Sequence, residues 1–130
     1  MAEVHPTTLA LQMPPDPKML RVLRLVGSGL ASLGQFDLAA TEEVRVAVDE
    51  LGAALIAVSS GAPIELTFDL SERGLCVEGS TAHPTGVEAE LDPLTDRMLS
   101  EVASTHEWSV SRGRAVGRIE KLLPGPTASG

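Results

Sequence analysis

Hydrophobic residues recur at three- and four-residue intervals in three segments of this chain, which predicts three amphipathic helices. In segment 41–60, the apolar positions on one helical face are Val44, Ala47, Val48, Leu51, Leu55 and Val58. In segment 17–33, they are Met19, Leu20, Val22, Leu23, Val26, Leu30 and Leu33. The Asp-Pro pairs at 16–17 and 92–93 each supply a helix N-cap and a first-turn proline. We therefore predict helices over about 17–33, 38–59 and 91–102.

Alternation of apolar and polar residues predicts five strands. Their ranges are 7–13, 64–70, 75–79, 107–111 and 115–122, with a turn at 71–74, a loop at 80–90 and a turn at 112–114. The element order is then β-α-α-β-β-α-β-β, with most strands joined as antiparallel hairpins. Because three helices must bury their apolar stripes, we predict an α+β fold, a two-layer sandwich with the helices on one sheet face.

Composition limits the location and the partners of this chain. We expect one domain over residues 7–123, with an N-terminal tail at 1–6 and a disordered C-terminal tail at 124–130. The net charge of −8 argues against a surface for nucleic acid or anionic membrane. No apolar run approaches the ~20 residues of a membrane span. The single cysteine, Cys76, cannot form an internal disulfide, so we expect a cytoplasmic protein.

Glu50 is the most informative single residue, because it lies beside the core stripe of the second helix among small neighbours. Those neighbours are Val46, Ala54 and Ala57. Two interpretations follow: a boundary carboxylate that faces water, or a catalytic base.

Other candidate positions are less specific. Arg21 and Arg24, with Ser28 beside them, form the most concentrated basic patch of this acidic chain and are a candidate partner surface. Gly27-Ser28-Gly29 lies inside a helix and indicates packing rather than a phosphate loop. The histidines at 5, 83 and 106 have no metal-ligand spacing, so we predict no metal site. Trp108 is expected to anchor the core or its edge.

Three segments resemble the anti-sigma-factor serine kinases of bacteria, which belong to the GHKL (histidine-kinase-like) ATPase superfamily. They are VRVAVDEL at 44–51, PPDPKMLRVLRLVGSGLASLG at 14–34 and PLTDRMLSEVASTHEWSVSRGRAVGRIEKLL at 93–123. The resemblance covers about residues 7–123 and implies the GHKL type of sandwich. Among these kinases, the chain looks most like actinobacterial members whose nucleotide motifs are eroded.

The family's chemistry uses a Glu as base and an Asn four residues later that reaches Mg²⁺. Here Glu50 matches the Glu, but Ala54 stands at the Asn position. The family's Asp-x-Gly-x-Gly box, which holds adenine, corresponds to VEGSTAHP, in which Glu78 is the only acid. The following loop carries Glu88, Glu90, Asp92 and Asp96, which would repel phosphates. We therefore expect no cofactor, neither ATP nor Mg²⁺, and regard Glu50 as a relic base.

The resemblance then implies an anti-sigma factor that works by binding. It would sequester an alternative sigma factor, release it to a competing anti-anti-sigma factor, and form a homodimer. Arg21, Arg24 and Ser28 would contact the sigma factor, and kinase activity would be weak or absent. One alternative is an active ATP-dependent kinase that phosphorylates the anti-anti-sigma factor, with Glu50 as base. A second alternative is a dimeric regulatory scaffold without a sigma partner.

Overall fold

Five strands and three helices make up the computed structural model, which describes residues 6–84, 87 and 89–123. The strands are β1 (Thr7–Met13), β2 (Ile64–Ser71), β3 (Gly74–Ala82), β4 (Thr105–Ser111) and β5 (Arg114–Leu122). The helices are α1 (Leu20–Leu33), α2 (Leu38–Val58) and α3 (Pro93–Val102), and a short 3-10 turn at Pro17–Met19 precedes α1. The predicted α+β class, with a largely antiparallel sheet and three helices, is confirmed.

All strand pairs of the sheet are antiparallel, and the spatial order is β1-β2-β3-β5-β4. Strands β1 and β4 are therefore the two edges. Alternate residues of the central strands are buried, as the burial pattern of β2 illustrates at Ile64, Leu66, Phe68 and Leu70. The helices cover this buried face, and the other face carries mostly polar side chains.

The core between the helices and the sheet is aliphatic. Its fully buried large side chains include Leu23 of α1, Leu51 and Leu55 of α2, and Phe68 of β2. Helix α2 is the central helix, because it packs on α1, on α3 and on strands β3 and β5. The stripe predicted for α2 is buried at five of its six positions, and Val58 at the helix end is partly exposed.

The core face predicted for α1 is wrong at two positions. Val22 and Leu33 are 43% and 63% exposed, whereas Gly27 and Ala31 are buried. A Cβ at Gly27 would lie 3.3 Å from Val48 Cγ2, so α1 approaches α2 through its small residues. Val22 and Leu33 lie on the opposite side of the helix from this contact and therefore face outward.

Strand β3 is longer than its sequence pattern predicts, because it includes residues 80–82 of the expected loop. Ala82 pairs with Arg114 of β5, so the neighbouring strand extends β3. Thr81 is fully buried, and its hydroxyl donates to the carbonyl of Pro63 at 3.1 Å. The sequence pattern predicts a loop at this polar residue, whereas the structure places it in the core at the end of β3.

Several predicted features lie outside the described residues. They are the C-terminal tail at 124–130, most of the N-terminal tail, His5 and Glu88. Within the described part of the chain, no helix is both long enough and apolar enough to cross a membrane.

Candidate functional site

Glu50 lies half-buried on the flank of α2 that faces α3. Glu43, two helical turns earlier, shares this flank and accepts a hydrogen bond from Lys121 Nζ at 3.2 Å. The same Nζ donates to the carbonyl of Val102 at the end of α3, at 2.9 Å. This lysine therefore ties α2, α3 and β5 together next to the flank that carries Glu50.

No hydrogen bond or ion pair to Glu50 is present among the described residues. One turn further along, Ala54 offers only a methyl group, so the position four residues after Glu50 provides no oxygen ligand for a cation. In the described part of the chain, no cluster of three or more His, Cys, Asp or Glu side chains could hold a metal. The position of Glu50 is that of a boundary carboxylate.

Between α2 and the sheet, close packing leaves little space. A Cβ at Gly117 of β5 would lie 2.4 Å from Leu51 Cδ1, and one at Gly79 of β3 would lie 2.5 Å from Leu55 Cδ1. Both glycines let leucines of α2 press onto the strand backbone. A ligand on this side of α2 would have to displace core side chains.

Glu78 does not share a site with Glu50. It is exposed and lies in register with Thr67 of β2 and Arg118 of β5, on the sheet face without helices. Its neighbours Val77 and Gly79 are buried beneath the helices. The sheet therefore separates the two acids that the resemblance associates with one nucleotide site.

Two of the acids that the sequence assigns to the loop, Asp92 at the N-cap of α3 and Asp96 in its first turn, have contacts within the fold. Asp92 caps α3 by accepting a hydrogen bond from the backbone nitrogen of Leu94 at 3.0 Å. Asp96 Oδ1 lies 2.6 Å from His106 Nε2 on β4. Glu90 is exposed and has no partner among the described residues, which leaves it available to a ligand.

The basic patch of α1 divides into a paired and an unpaired part. Arg24 Nη1 lies 2.5 Å from Asp49 Oδ1 on α2, and the hydroxyl of Ser28 donates to the carbonyl of Arg24 at 2.9 Å. Arg24 thus belongs to the seam between α1 and α2, and Ser28 is bonded to it within α1. Arg21 is exposed and has no ion pair within the described residues. Lys18 lies close to it, in the turn that precedes α1.

Apolar side chains accompany the basic residues on the outer surface of α1. Leu25 is 68% exposed, and Val22 and Leu33 are exposed on the same side. Gly29 lies between them and has open space where a Cβ would be. We refer to Lys18, Arg21, Val22, Leu25 and Leu33 as the α1 outer face.

A cavity of about 790 Å³ beside strand β4 brings together Trp108, Glu90 and Asp96, which the sequence pattern does not place in one site. Trp108 and Val110 of β4, Leu91 and Pro93 provide much of its apolar lining. Trp108 anchors one wall, because its Nε1 donates to the carbonyl of Ala89 at 2.8 Å. Trp108 was expected at the core or its edge, but sequence spacing contains no signal that places residues 89–93 beside β4.

His83 and Cys76 are not among the residues that line this cavity, whereas His106 is. His83 Nδ1 lies 2.8 Å from the carbonyl of Val58, at the end of α2. On the outer sheet face, Arg118 Nε donates to Cys76 Sγ at 3.2 Å. That hydrogen bond, together with the charges of Cys76 and two nearby glutamates, raises the pKa of Arg118 above its ordinary value.

No family model matches this chain, and no curated protein shows significant similarity to it. The resemblance described above therefore depends on the motifs themselves and on the arrangement of elements that carries them.

Proposed function

We propose that this protein is an anti-sigma factor that acts by binding, in a sandwich of the GHKL type. The proposal depends on the α1 outer face, which combines exposed apolar side chains with two basic residues, Lys18 and Arg21. Neither basic side chain has a strong ion pair within the described residues. Exposed apolar groups in a contiguous, charge-flanked patch are typical of protein-binding surfaces. The motif resemblance suggests that the partner is an alternative sigma factor.

The chemistry of the α1 outer face defines the partner surface that fits it. Arg21 and Leu25 lie four residues apart and therefore project side by side. A helix with apolar residues along one stripe and acidic residues beside it would complement them. Arg24 and Ser28 would support this surface from the α1–α2 seam, because their polar groups already have partners within the chain.

Binding is favoured over phosphoryl transfer by the surroundings of Glu50. Ala54 provides no metal ligand, Glu78 is on the opposite side of the sheet, and the leucines of α2 occupy the space next to the strands. An anti-anti-sigma factor would then act by competing for a surface rather than as a phosphorylation substrate.

The test of sigma binding is a pull-down from native extract, followed by affinity measurement with the sigma factor that it identifies. We expect Lys18→Glu combined with Arg21→Glu to weaken binding at least tenfold, because two complementary charges become repulsive. The melting temperature should hardly change, since both side chains are exposed.

The matched control combines Arg73→Glu with Arg97→Glu, two exposed arginines on other elements, and changes the net charge equally. Equal affinities of the two double variants would contradict the assignment of the α1 outer face. Arg24→Glu is less suitable as a test, because the new carboxylate would face Asp49 and lower stability as well. Failure of any sigma factor to co-purify would favour the scaffold alternative.

Nucleotide affinity distinguishes the kinase alternative from the proposal that the protein acts by binding. We expect no Mg-ATP binding with a dissociation constant at or below ~10 μM, which corresponds to about −7 kcal/mol. Two missing charge-assisted contacts of ~1.5 kcal/mol each weaken binding roughly 100-fold. Titration calorimetry measures this affinity. A dissociation constant below that limit would favour the kinase alternative, in which Glu50 is the base.

A further inference from the structure

Strand β4 has a free hydrogen-bonding edge whose geometry follows from its hairpin. Only Arg112 and Gly113 connect β4 to β5, and both have positive φ values of 52° and 79°. This is the pattern of a two-residue hairpin turn, in which the flanking pair, Ser111 and Arg114, exchanges backbone hydrogen bonds. Hydrogen-bonded and non-hydrogen-bonded pairs then alternate along the strands.

The alternation directs the backbone groups of three residues away from β5. They are His106, Trp108 and Val110, whose register partners are Ile119, Gly117 and Ala115. Among the described residues, no other strand pairs with this side of β4. Three N–H donors and three carbonyl acceptors are therefore available at the edge.

The 790 Å³ cavity lies along this edge. Its lining includes every residue from Trp108 to Gly113, so it follows consecutive residues of the strand and the hairpin turn. A cavity under one sheet face would contact only alternate residues. The opposite wall includes Leu91 and Pro93, which leaves a groove of mixed apolar and polar lining beside unpaired backbone groups.

The two ends of the groove carry opposite charges. Arg112 lies at the hairpin end, whereas Asp96 lies at the end near His106. Glu90 lies between Ala89, whose carbonyl accepts from Trp108, and the start of α3, which carries Asp96, so it is displaced from Arg112 toward that end. Asp96 is already paired with His106, so Glu90 is the unpaired acid of the groove among the described residues. This polarity would orient a ligand that has one acidic and one basic end.

We propose that an extended peptide segment of a partner protein binds in this groove as an added sixth strand, antiparallel to β4. Backbone groups of the peptide pair with His106, Trp108 and Val110, and its alternate apolar side chains enter the cavity beside Trp108. An acidic residue at its N-terminal end lies near Arg112, and a basic residue at its C-terminal end lies near Glu90. The β4 groove does not include the α1 outer face, so this site is independent of sigma binding.

The test uses the peptide acetyl-Glu-Val-Thr-Val-Thr-Val-Lys-amide as probe, with the charge-exchanged peptide acetyl-Lys-Val-Thr-Val-Thr-Val-Glu-amide as its control. Trp108 is the only tryptophan, so its fluorescence reports occupation of the groove directly. We expect the first peptide to bind below about 1 mM and the control peptide to bind several-fold more weakly. Hydrogen exchange of the unmodified protein should show new protection of the Trp108 and Val110 amides.

Two variants separate strand addition from simple occupation of the cavity. Val110→Pro removes an outward N–H without removing a hydrogen bond to β5 and should weaken binding about tenfold, whereas Val110→Thr retains the N–H and should bind like the original. Glu90→Lys makes both ends of the groove basic and should abolish the preference between the two peptides. Circular dichroism confirms that each variant is folded.

Absence of binding by either peptide at about 1 mM would overturn the proposal. Binding without new protection of the β4 amides would also overturn it, because the peptide would then occupy the cavity without pairing. If Val110→Pro is unfolded, the exchange measurement on the unmodified protein still decides. Failure here leaves the sigma-binding test unaffected, because the two experiments use different surfaces and variants.

Discussion

Glu50 and Leu51 are adjacent in the sequence but lie in opposite environments. Leu51 is 1% exposed, and its Cδ1 occupies the space that a side chain at Gly117 would need. Glu50 lies on the flank of the same helix, half-buried and without a partner among the described residues. At the residue scale, a rotation of 100° along the helix separates the centre of the core from its boundary.

Leu51→Ala should therefore lower the free energy of unfolding by ~2–5 kcal/mol, because it leaves a cavity between α2 and β5. Glu50→Gln, the neighbouring control, should cost less than ~1 kcal/mol, since it preserves shape and removes no ion pair. Urea denaturation of both variants measures the difference. A neutral result for Leu51→Ala would mean that the core stripe of α2 is assigned incorrectly.

At the element scale, the seam between α1 and α2 depends on small residues. A Cβ at Gly52 of α2 would lie 2.6 Å from Leu23 Cδ1 and 2.9 Å from Leu20 Cδ2. Leu23 is completely buried and cannot move outward. Glycine is otherwise unfavourable inside a helix, so its presence here indicates that close packing outweighs helix propensity.

The glycines at 52 and 29 provide a matched pair for this seam. Gly29→Ala should stabilise the protein by up to ~1 kcal/mol, because its Cβ would enter open space. Gly52→Ala has the same gain in helix propensity but should be ~1–3 kcal/mol less stable than Gly29→Ala, owing to overpacking against two leucines. Thermal or urea unfolding compares them. Equal free energies of unfolding for the two variants would show that α1 and α2 can move apart without an energetic cost.

At the scale of the whole molecule, the sheet edge formed by strand β1 has no feature that prevents it from pairing with another strand. Strand β1 has the sequence TTLALQM, without a charge or a proline, and Leu9 is 40% exposed. Uncharged, regular edge strands associate readily with other strands. Within the described residues, β1 pairs only with β2. Pairing of β1 with a second copy would satisfy this edge and form the homodimer that the resemblance implies.

Sedimentation analysis tests this assembly, and we expect a mass of twice 13.6 kDa at micromolar concentration. Ala10→Lys should shift the protein toward the monomer, because like charges would face each other across the paired edges. Thr67→Lys is the control, since Thr67 lies next to Ala10 in register but one strand further in. A monomer in the unmodified protein, or an equal effect of both lysines, would contradict pairing through β1.

The sequence by itself determined the identity and approximate bounds of the elements. Strand β1, helix α2 and the caps at Asp16 and Asp92 all depend on local periodicity and on hydrogen bonds within one turn. The position of Glu50 beside the core stripe of α2 also follows from one helix and its 3.6-residue repeat. These features were predictable because the residues that define them are neighbours along the chain.

Only the tertiary structure decided which of two apolar surfaces of α1 is buried. Val22 and Leu23 are both hydrophobic, and which of them is buried depends on the side from which α2 approaches. The partner of Arg24 lies 25 residues away, and Glu78 faces away from α2 because of the register of three strands. The β4 groove exists because residues 89–93 pass beside an edge strand that comes later in the chain. Contacts between distant segments follow from packing and register, and local periodicity contains no information about either.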